Sequence, residues 1–296
     1  MNKFSFCAFL CAAFFLIACG DSNDAKLGSK KSSKPDMEYK SFREIPSCVK
    51  ELNGKKAHVA DLELNLVCEN GKWVEHRVDT SSHETRAFVA PSTVVKGTMK
   101  DSRDGQKYKT VTIGSQVWMA QNLNYESTDS FCYNDSAEYC AKYGRLYTWA
   151  AAMDSVGAWS TNGKGCGYDT TCTPTYPVRG VCPSGWHLPT RDEFENLVYA
   201  VGGFATFNKM LKSTSGWDKD QNGIDSYSFT AYSSGFRFLD GYYSEKKGER
   251  ALFWSSTERY EDTAYTMNLN NYDNVVTRLS DYGKGWGVSV RCVKDE

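Results

Sequence analysis

Hydrophobic residues are spread unevenly along the chain, and their spacing changes several times. Phe4 to Ile17 is almost unbroken apolar sequence, preceded by Lys3 and followed by Ala18-Cys19. Residues 19–40 are mostly Ser, Lys, Asp, Asn and Gly, too polar to bury a core, which predicts a flexible tether. Alternation returns in residues 41–78, where Leu62, Leu64 and Leu66 fit a strand and Asn53-Gly54 and Asn70-Gly71 favour tight turns. Residues 79–96, with Ser, Thr and Pro91, again read as linker.

The remaining chain, 97–296, carries the longest patterned stretch. Lys107 to Ile113 alternates, Gly114-Ser115 turns, and Gln116 to Ala120 follows, the pattern of a β-hairpin. Tyr143 to Met153 predicts a helix with Leu146, Trp149, Ala150 and Met153 on one face. Thr190 and Glu193 form a capping box ahead of Phe194, Leu197, Val198 and Val201, and Gly202-Gly203 closes that helix. Phe236–Leu239, Ala251–Ser255, Thr263–Leu269, Val275–Leu279 and Val288–Val293 read as short strands. Helices followed by a meander predict an α+β domain, preceded by a small β-rich module over 41–78.

The N-terminal run has the charge, length and small-residue order of a secretory signal over 1–18. It is shorter than the ~20 apolar residues of a spanning helix. Leu16-Ile17-Ala18-Cys19 resembles the lipobox of bacterial lipoproteins, which implies cleavage before Cys19 and acylation of that residue. Several acyl chains at ~0.8 kcal/mol per buried methylene give stable attachment. The expected address is therefore the bacterial cell envelope, extracytoplasmic and lipid-anchored, with the outer membrane as the membrane. A net charge of −1 with interspersed signs offers no bulk field for nucleic acid. Aromatics at 14%, including 18 Tyr and 8 Trp, exceed what a core of this size must hold, and exposed aromatic sets often mark binding.

Of 11 cysteines, Cys7 and Cys11 leave with the signal and Cys19 takes lipid. The even remainder in an oxidising compartment reads as four disulfides. Sequence alone allows 105 connectivities. Proximity and module boundaries favour Cys48 with Cys68, Cys132 with Cys140, Cys166 with Cys172, and Cys182 with Cys292. No pair has the spacing of a zinc site.

Five ordered blocks carry a resemblance: Gly114 to Tyr125, Tyr143 to Trp149, Cys182 to Thr190, Phe253 to Glu258 and Ser289 to Asp295. Together they resemble the Fibrobacter succinogenes major paralogous domain over about 97–295. That family is similar to the C-type-lectin-like superfamily, in which a cysteine before a Gly-aromatic-Leu turn bonds a cysteine in the final strand; Cys182 and Cys292 sit in those places. The resemblance implies fold and location without a reaction. Sugar-binding C-type lectins hold calcium with Glu-Pro-Asn or Gln-Pro-Asp and a Trp-Asn-Asp segment. This chain has no such tripeptide and reads Trp254-Ser255-Ser256, so the usual calcium-bridged sugar site does not carry over.

Candidate chemistry is sparse. Asp218, Asp220 and Asn222, with Gly223, match the first half of a calcium loop, but its twelfth position is Phe229 in place of a bidentate Glu, so a solvated turn is the simpler account. Arg145, Arg237, Glu258 and Arg291 lie within or beside the resemblance blocks, either as paired structural charges or as a grip on sugar hydroxyls or carboxylates. Tyr242, Tyr243, Tyr260, Tyr272 and Trp286 fall in predicted turns, where they serve as loop packing or as a stacking face. There is no nucleophile elbow, metalloprotease motif or phosphate loop, and His187 reads as structural. The expected function is a non-catalytic envelope protein binding a polysaccharide or a surface partner, with Arg237, Tyr242, Tyr243, Glu258, Tyr260 and Trp286 as its contacts and no cofactor, calcium at Asp218, Asp220 and Asn222 being the alternative to a solvated turn. The alternatives are a structural or adhesive protein acting by protein assembly, and a relative of the lectin-like formylglycine-generating enzymes, which need paired active-site cysteines.

Overall fold

In the computed structural model the described residues are 35–40, 44–59, 64–75, 89–204, 206–244, 248–271 and 279–296. The expected signal, the lipidation residue Cys19, Tyr272 and most of the tether lie outside them. The first sheet contains β1 (Met37–Tyr39), β2 (Lys56–Val59), β3 (Leu64–Glu69) and β4 (Lys72–Glu75), in that order, with β1 parallel to β2. Asn70 and Gly71, at φ 50° and 82°, make the β3–β4 turn, because a type I′ turn needs two positive φ angles. The Cys48–Cys68 disulfide braces this sheet. Its core is shared: Val59, Leu66 and Trp73 belong to one hydrophobic cluster with Val111, Trp118 and Phe194 of the longer region.

The second sheet is antiparallel, in the order β10 (Trp186–His187), β15 (Val293–Lys294), β7 (Gln116–Met119), β6 (Lys107–Ile113) and β5 (Val95–Lys100). The third runs β13 (Leu279–Gly283), β12 (Thr263–Asn270), β11 (Arg250–Glu258), β14 (Val288–Ser289), β9 (Leu146–Tyr147) and β8 (Ser130–Phe131). Four short helices accompany them: α1 (Ala137–Tyr143), α2 (Trp149–Met153), α3 (Arg191–Ala200) and α4 (Phe207–Leu211). The capping box predicted for α3 is present, with Phe194, Leu197 and Val198 buried beneath it.

The α+β expectation is corrected: the described fold is predominantly β. The helix predicted over Tyr143–Met153 is the clearest departure. Gly144, at φ 75°, ends α1, and a Cβ there would come within 3 Å of Asn122 and Leu123. Leu146 and Tyr147 then leave the helical path to pair with both β8 and β14, so sheet pairing overrides a helix-compatible spacing. Phe236–Leu239 is likewise not a strand but a turn with isolated bridges at Arg237.

The last strand is anchored through two adjacent residues. Cys292 is bonded to Cys182 across 110 positions. Arg291, wholly buried, donates through Nε to Asn122 Oδ1 at 2.8 Å, through Nη2 to Thr230 O at 2.7 Å, and through Nη1 to Phe229 O. Its guanidinium stands 4.3 Å over the Phe229 ring. Burial pushes its pKa down to about 9, and no carboxylate contacts it among the described ion pairs, so carbonyl and amide oxygens solvate the charge.

His187 ties the chain end to α3. Its Nδ1 is 2.7 Å from Asp295 Oδ1 and its Nε2 is 2.8 Å from Glu193 Oε1. A carboxylate at each ring nitrogen favours the imidazolium, which donates from both. Burial lowers the His187 pKa, but these bonds outweigh it and the net shift is upward from 6.5. Glu193 is shifted down from 4.5, since burial is overcome by His187 and the Thr190 cap. The raised His187 stabilises fully below its unfolded value and loses that contribution as pH rises through its folded value. The depressed Glu193 stabilises above its unfolded value and loses that contribution as pH falls through its folded one. Urea unfolding at about pH 6 and pH 8 is therefore expected to show a decline in stability toward pH 8 that His187→Gln reduces, with ~1–2 kcal/mol lost in the variant at the lower pH. An equal decline in both proteins contradicts this account.

Candidate functional site

The site begins with a buried lysine. Lys284, whose side chain is fully buried, lies between β13 and β14 and donates to Glu258 Oε2 at 2.7 Å, Glu261 O at 2.8 Å and Thr170 O at 2.9 Å. Its ammonium also stands 4.7 Å from the Trp149 ring centroid. One cation thus joins three loops: the 284–287 turn, the β11–β12 hairpin tip and the segment closed by Cys166–Cys172. The Cys172 backbone N–H adds a bond to Glu258 Oε2, and Thr170 N–H donates to Glu261 O.

On this frame the loops place an aromatic cluster at the surface. Trp286 stacks on Phe236 with centroids 5.1 Å apart and 8° between planes, and meets Phe238 edge-on at 4.9 Å. The turn from Phe238 to Tyr242 closes with Phe238 N–H donating to Tyr242 O at 2.7 Å, which projects Leu239 and Tyr242 outward, 54% and 74% exposed. A Cβ at Gly285 would collide with Leu239 Cδ1 and touch Tyr168 Cδ2, so glycine is what lets the 238–242 turn and Tyr168 meet. Tyr168 is 44% exposed. Arg237 bridges its backbone to Tyr243 and Gly287, with its guanidinium 4.1 Å from the Phe131 centroid. Tyr243 donates to Asp135; burial and that carboxylate push its pKa up to about 12, so it stays a donor.

The structure thus brings Arg237, Tyr242, Tyr243 and Trp286 into one neighbourhood. Their roles differ: Tyr242 is open to solvent, Trp286 is half-buried support, and Tyr243 is committed to Asp135 and to packing on Tyr133 at 5.4 Å. Glu258 is turned inward onto Lys284. Tyr260 lies on the β11–β12 tip, 58% exposed beside Arg259. Arg145 pairs with Glu126 at 2.9 Å. Asp218 and Asp220 occupy a 3-10 turn, and Asn222 Oδ1 accepts from Trp217 N–H at 3.1 Å. Among the described residues no group of three or more His, Cys, Asp or Glu is placed to hold a metal ion.

Tyr168, Leu239 and Lys284 were not read from the sequence as site residues. The tight Cys166–Cys172 spacing and the Lys284-Gly285 step were the available signals, since both mark constrained turns.

Residues 111–294 match the Fibrobacter succinogenes major domain, and the chain belongs to that family. No curated protein matches the chain. No solved structure matches it either. The family match carries no activity, so chemistry must be argued from this face itself.

Replacing Lys284 by Met leaves the mostly buried Glu258 carboxylate without its counter-charge and Thr170 O without its donor, while Glu261 O keeps the Thr170 N–H. Chemical denaturation should show a loss of ~3–5 kcal/mol, whereas Tyr242→Ala should stay within ~0.5 kcal/mol of the parent. Equal stabilities for the Lys284 variant and the parent contradict the clamp.

Proposed function

We propose that this protein is a non-catalytic, lipid-anchored component of the bacterial cell envelope that binds polysaccharide through the aromatic face around Tyr242. The observation that carries this reading is the exposure of Tyr168 on a loop fixed by Lys284 and a disulfide, and of Leu239 and Tyr242 on a turn closed by its own hydrogen bond and bridged to Gly287 through Arg237. Large exposed apolar side chains on a rigid frame are typical of recognition surfaces, and a pre-ordered face loses little entropy on binding. Tyrosine suits a sugar ring because it offers both a flat apolar surface and a hydroxyl.

Further support comes from the chemistry that the cysteines leave available. All eight described cysteines are disulfide-bonded, which disfavours a formylglycine-generating type of reaction that needs reactive cysteines. The Cys182–Cys292 bond favours a C-type-lectin-like relationship, as it joins the segment before α3 to the final strand. Anchoring rests on the Leu16-Ile17-Ala18-Cys19 sequence. Among the described residues no helix is long and apolar enough to cross a membrane. Calcium is proposed as dispensable, since Asn222 already serves as a backbone cap.

The oxidised chain from Gly20 to Glu296 is expected to bind at least one class in a panel of plant and bacterial polysaccharides saturably, with or without calcium. Tyr242→Ala should weaken that binding about ten-fold or more. Failure to bind any polysaccharide contradicts the reading and favours protein assembly. Separately, Cys19→Ser is expected to move the protein from the membrane to the soluble fraction on fractionation. Retention in the membrane fraction contradicts the lipid anchor.

A further inference from the structure

A second aromatic surface is built from different residues. Asp154 caps the end of α2, and its carboxylate accepts from the backbone N–H groups of Ala158, Trp159 and Ser160 at 2.8, 2.6 and 2.9 Å. Arg179 adds a bond to Trp159 O at 2.8 Å. These bonds fix the loop so that the indole of Trp159, 37% exposed, meets the Tyr125 ring edge-on, with centroids 5.5 Å apart and planes at 85°. Behind both rings is the Arg103 guanidinium, 3.8 Å from Tyr125 and 5.1 Å from Trp159, itself paired with the wholly buried Asp101 at 2.7 Å. A buried ion pair therefore props up an aromatic pair of which Tyr125 also packs against the core and Trp159 does not.

Tyr125 and Glu126 border two adjoining cavities of about 360 and 350 Å³. Both fall in the ~300–1,000 Å³ range of small-molecule clefts. One is lined by Asp104, Gln106, Asn124 and Arg145, and the other by Asp129 and Trp159 among its walls. Asn124 Oδ1 and Ser127 Oγ, buried at these walls, have no hydrogen-bond partner among the described residues, and buried polar atoms ordinarily have one.

We infer that this groove is a binding site for a neutral oligosaccharide, an inference that rests on the proposal that the domain binds carbohydrate but places a site away from Tyr242. The flat face of a sugar ring stacks on Trp159. Each sugar hydroxyl both donates and accepts, which matches carboxylate acceptors set beside the second amide proton of Asn124 and the guanidinium of Arg145, while Gln106 Nε2 is spent on Asp104 Oδ2 and Asn124 O. Charge selects among sugars: Asp104, Glu126 and Asp129 outnumber the single guanidinium of Arg145, which Glu126 already engages, so a uronate chain meets like charge.

The test uses the oxidised chain from Gly20 to Glu296, with calorimetry and tryptophan fluorescence against neutral gluco-, manno- and xylohexaose, hexagalacturonate and hexalysine. The expected result is saturable binding of a neutral hexasaccharide, weakened about ten-fold or more by Trp159→Ala. Glu126→Gln, at a side chain 80% exposed, should weaken it measurably with the fold intact by circular dichroism. Val95→Ser, at an exposed position of β5 that lines neither cavity, should leave it unchanged. Loss in Tyr242→Ala with Trp159→Ala unaffected overturns the groove and leaves carbohydrate binding standing, as does binding of hexagalacturonate alone. Hexalysine binding lost in Trp159→Ala, without any sugar binding, overturns the ligand class in favour of a cationic peptide. No sugar binding in any arm overturns both this inference and the proposal beneath it.

Discussion

Two neighbouring residues near the chain end, Arg291 and Cys292, hold the longer region together. A guanidinium stripped of water must be solvated by protein, and here Asn122, Phe229 and Thr230 supply the oxygens. These come from two segments far apart in sequence, around Asn122 and around Phe229-Thr230, which Arg291 joins to the chain just before the final strand. The adjacent disulfide to Cys182 closes a loop of the size that removes ~4.7 kcal/mol of unfolded-chain entropy in the loop-closure treatment. Asn122 reaches further still: its amide donates to Tyr143 O at the end of α1, so the same joint fixes where that helix stops.

Everything offered as a binding surface is a loop supported by a buried charge. Lys284 gathers the loops that carry Tyr168 and Trp286, and the Arg103–Asp101 pair stands behind Tyr125 and Trp159. Buried charges are expensive unless fully bonded, so each is a commitment of the fold to one loop arrangement. The sheets are thereby spared functional side chains, and the exposed aromatics sit at turns where sequence can change without loss of the core.

Much of the local structure was legible because local chemistry determines it. The Thr190–Glu193 box, the Asn70-Gly71 turn and the hairpin through Gly114 each depend on a few adjacent residues. In the segment from Tyr143 to Met153 the helix over Trp149–Met153 was legible but the break at 144–148 was not, since Leu146 and Tyr147 pair with strands that are remote in sequence. The three sheets, of four, five and six strands, make the described fold mostly β in place of α+β. The site was legible in part: Tyr242 and Trp286 announced themselves as aromatics in turns. Glu258 looked equally available and is used internally, because its partner Lys284 lies 26 positions away and residue type gives no hint of the pairing. Arg103 pairs with Asp101 only two positions away, but its contact with Tyr125, like that of Trp159, joins segments remote in sequence and was not legible.

The central claim is that Arg291 and the Cys182–Cys292 bond act as one joint. Denaturant unfolding of Arg291→Lys, of the Cys182→Ala/Cys292→Ala pair, and of the combined variant measures this directly. Lysine keeps the charge but lacks the planar fork that spans three acceptors. The account predicts a large loss for each change, ~2–5 kcal/mol, and a combined loss that departs from their sum by ~1 kcal/mol or more, as expected for residues sharing one anchor. Small losses that simply add would contradict it.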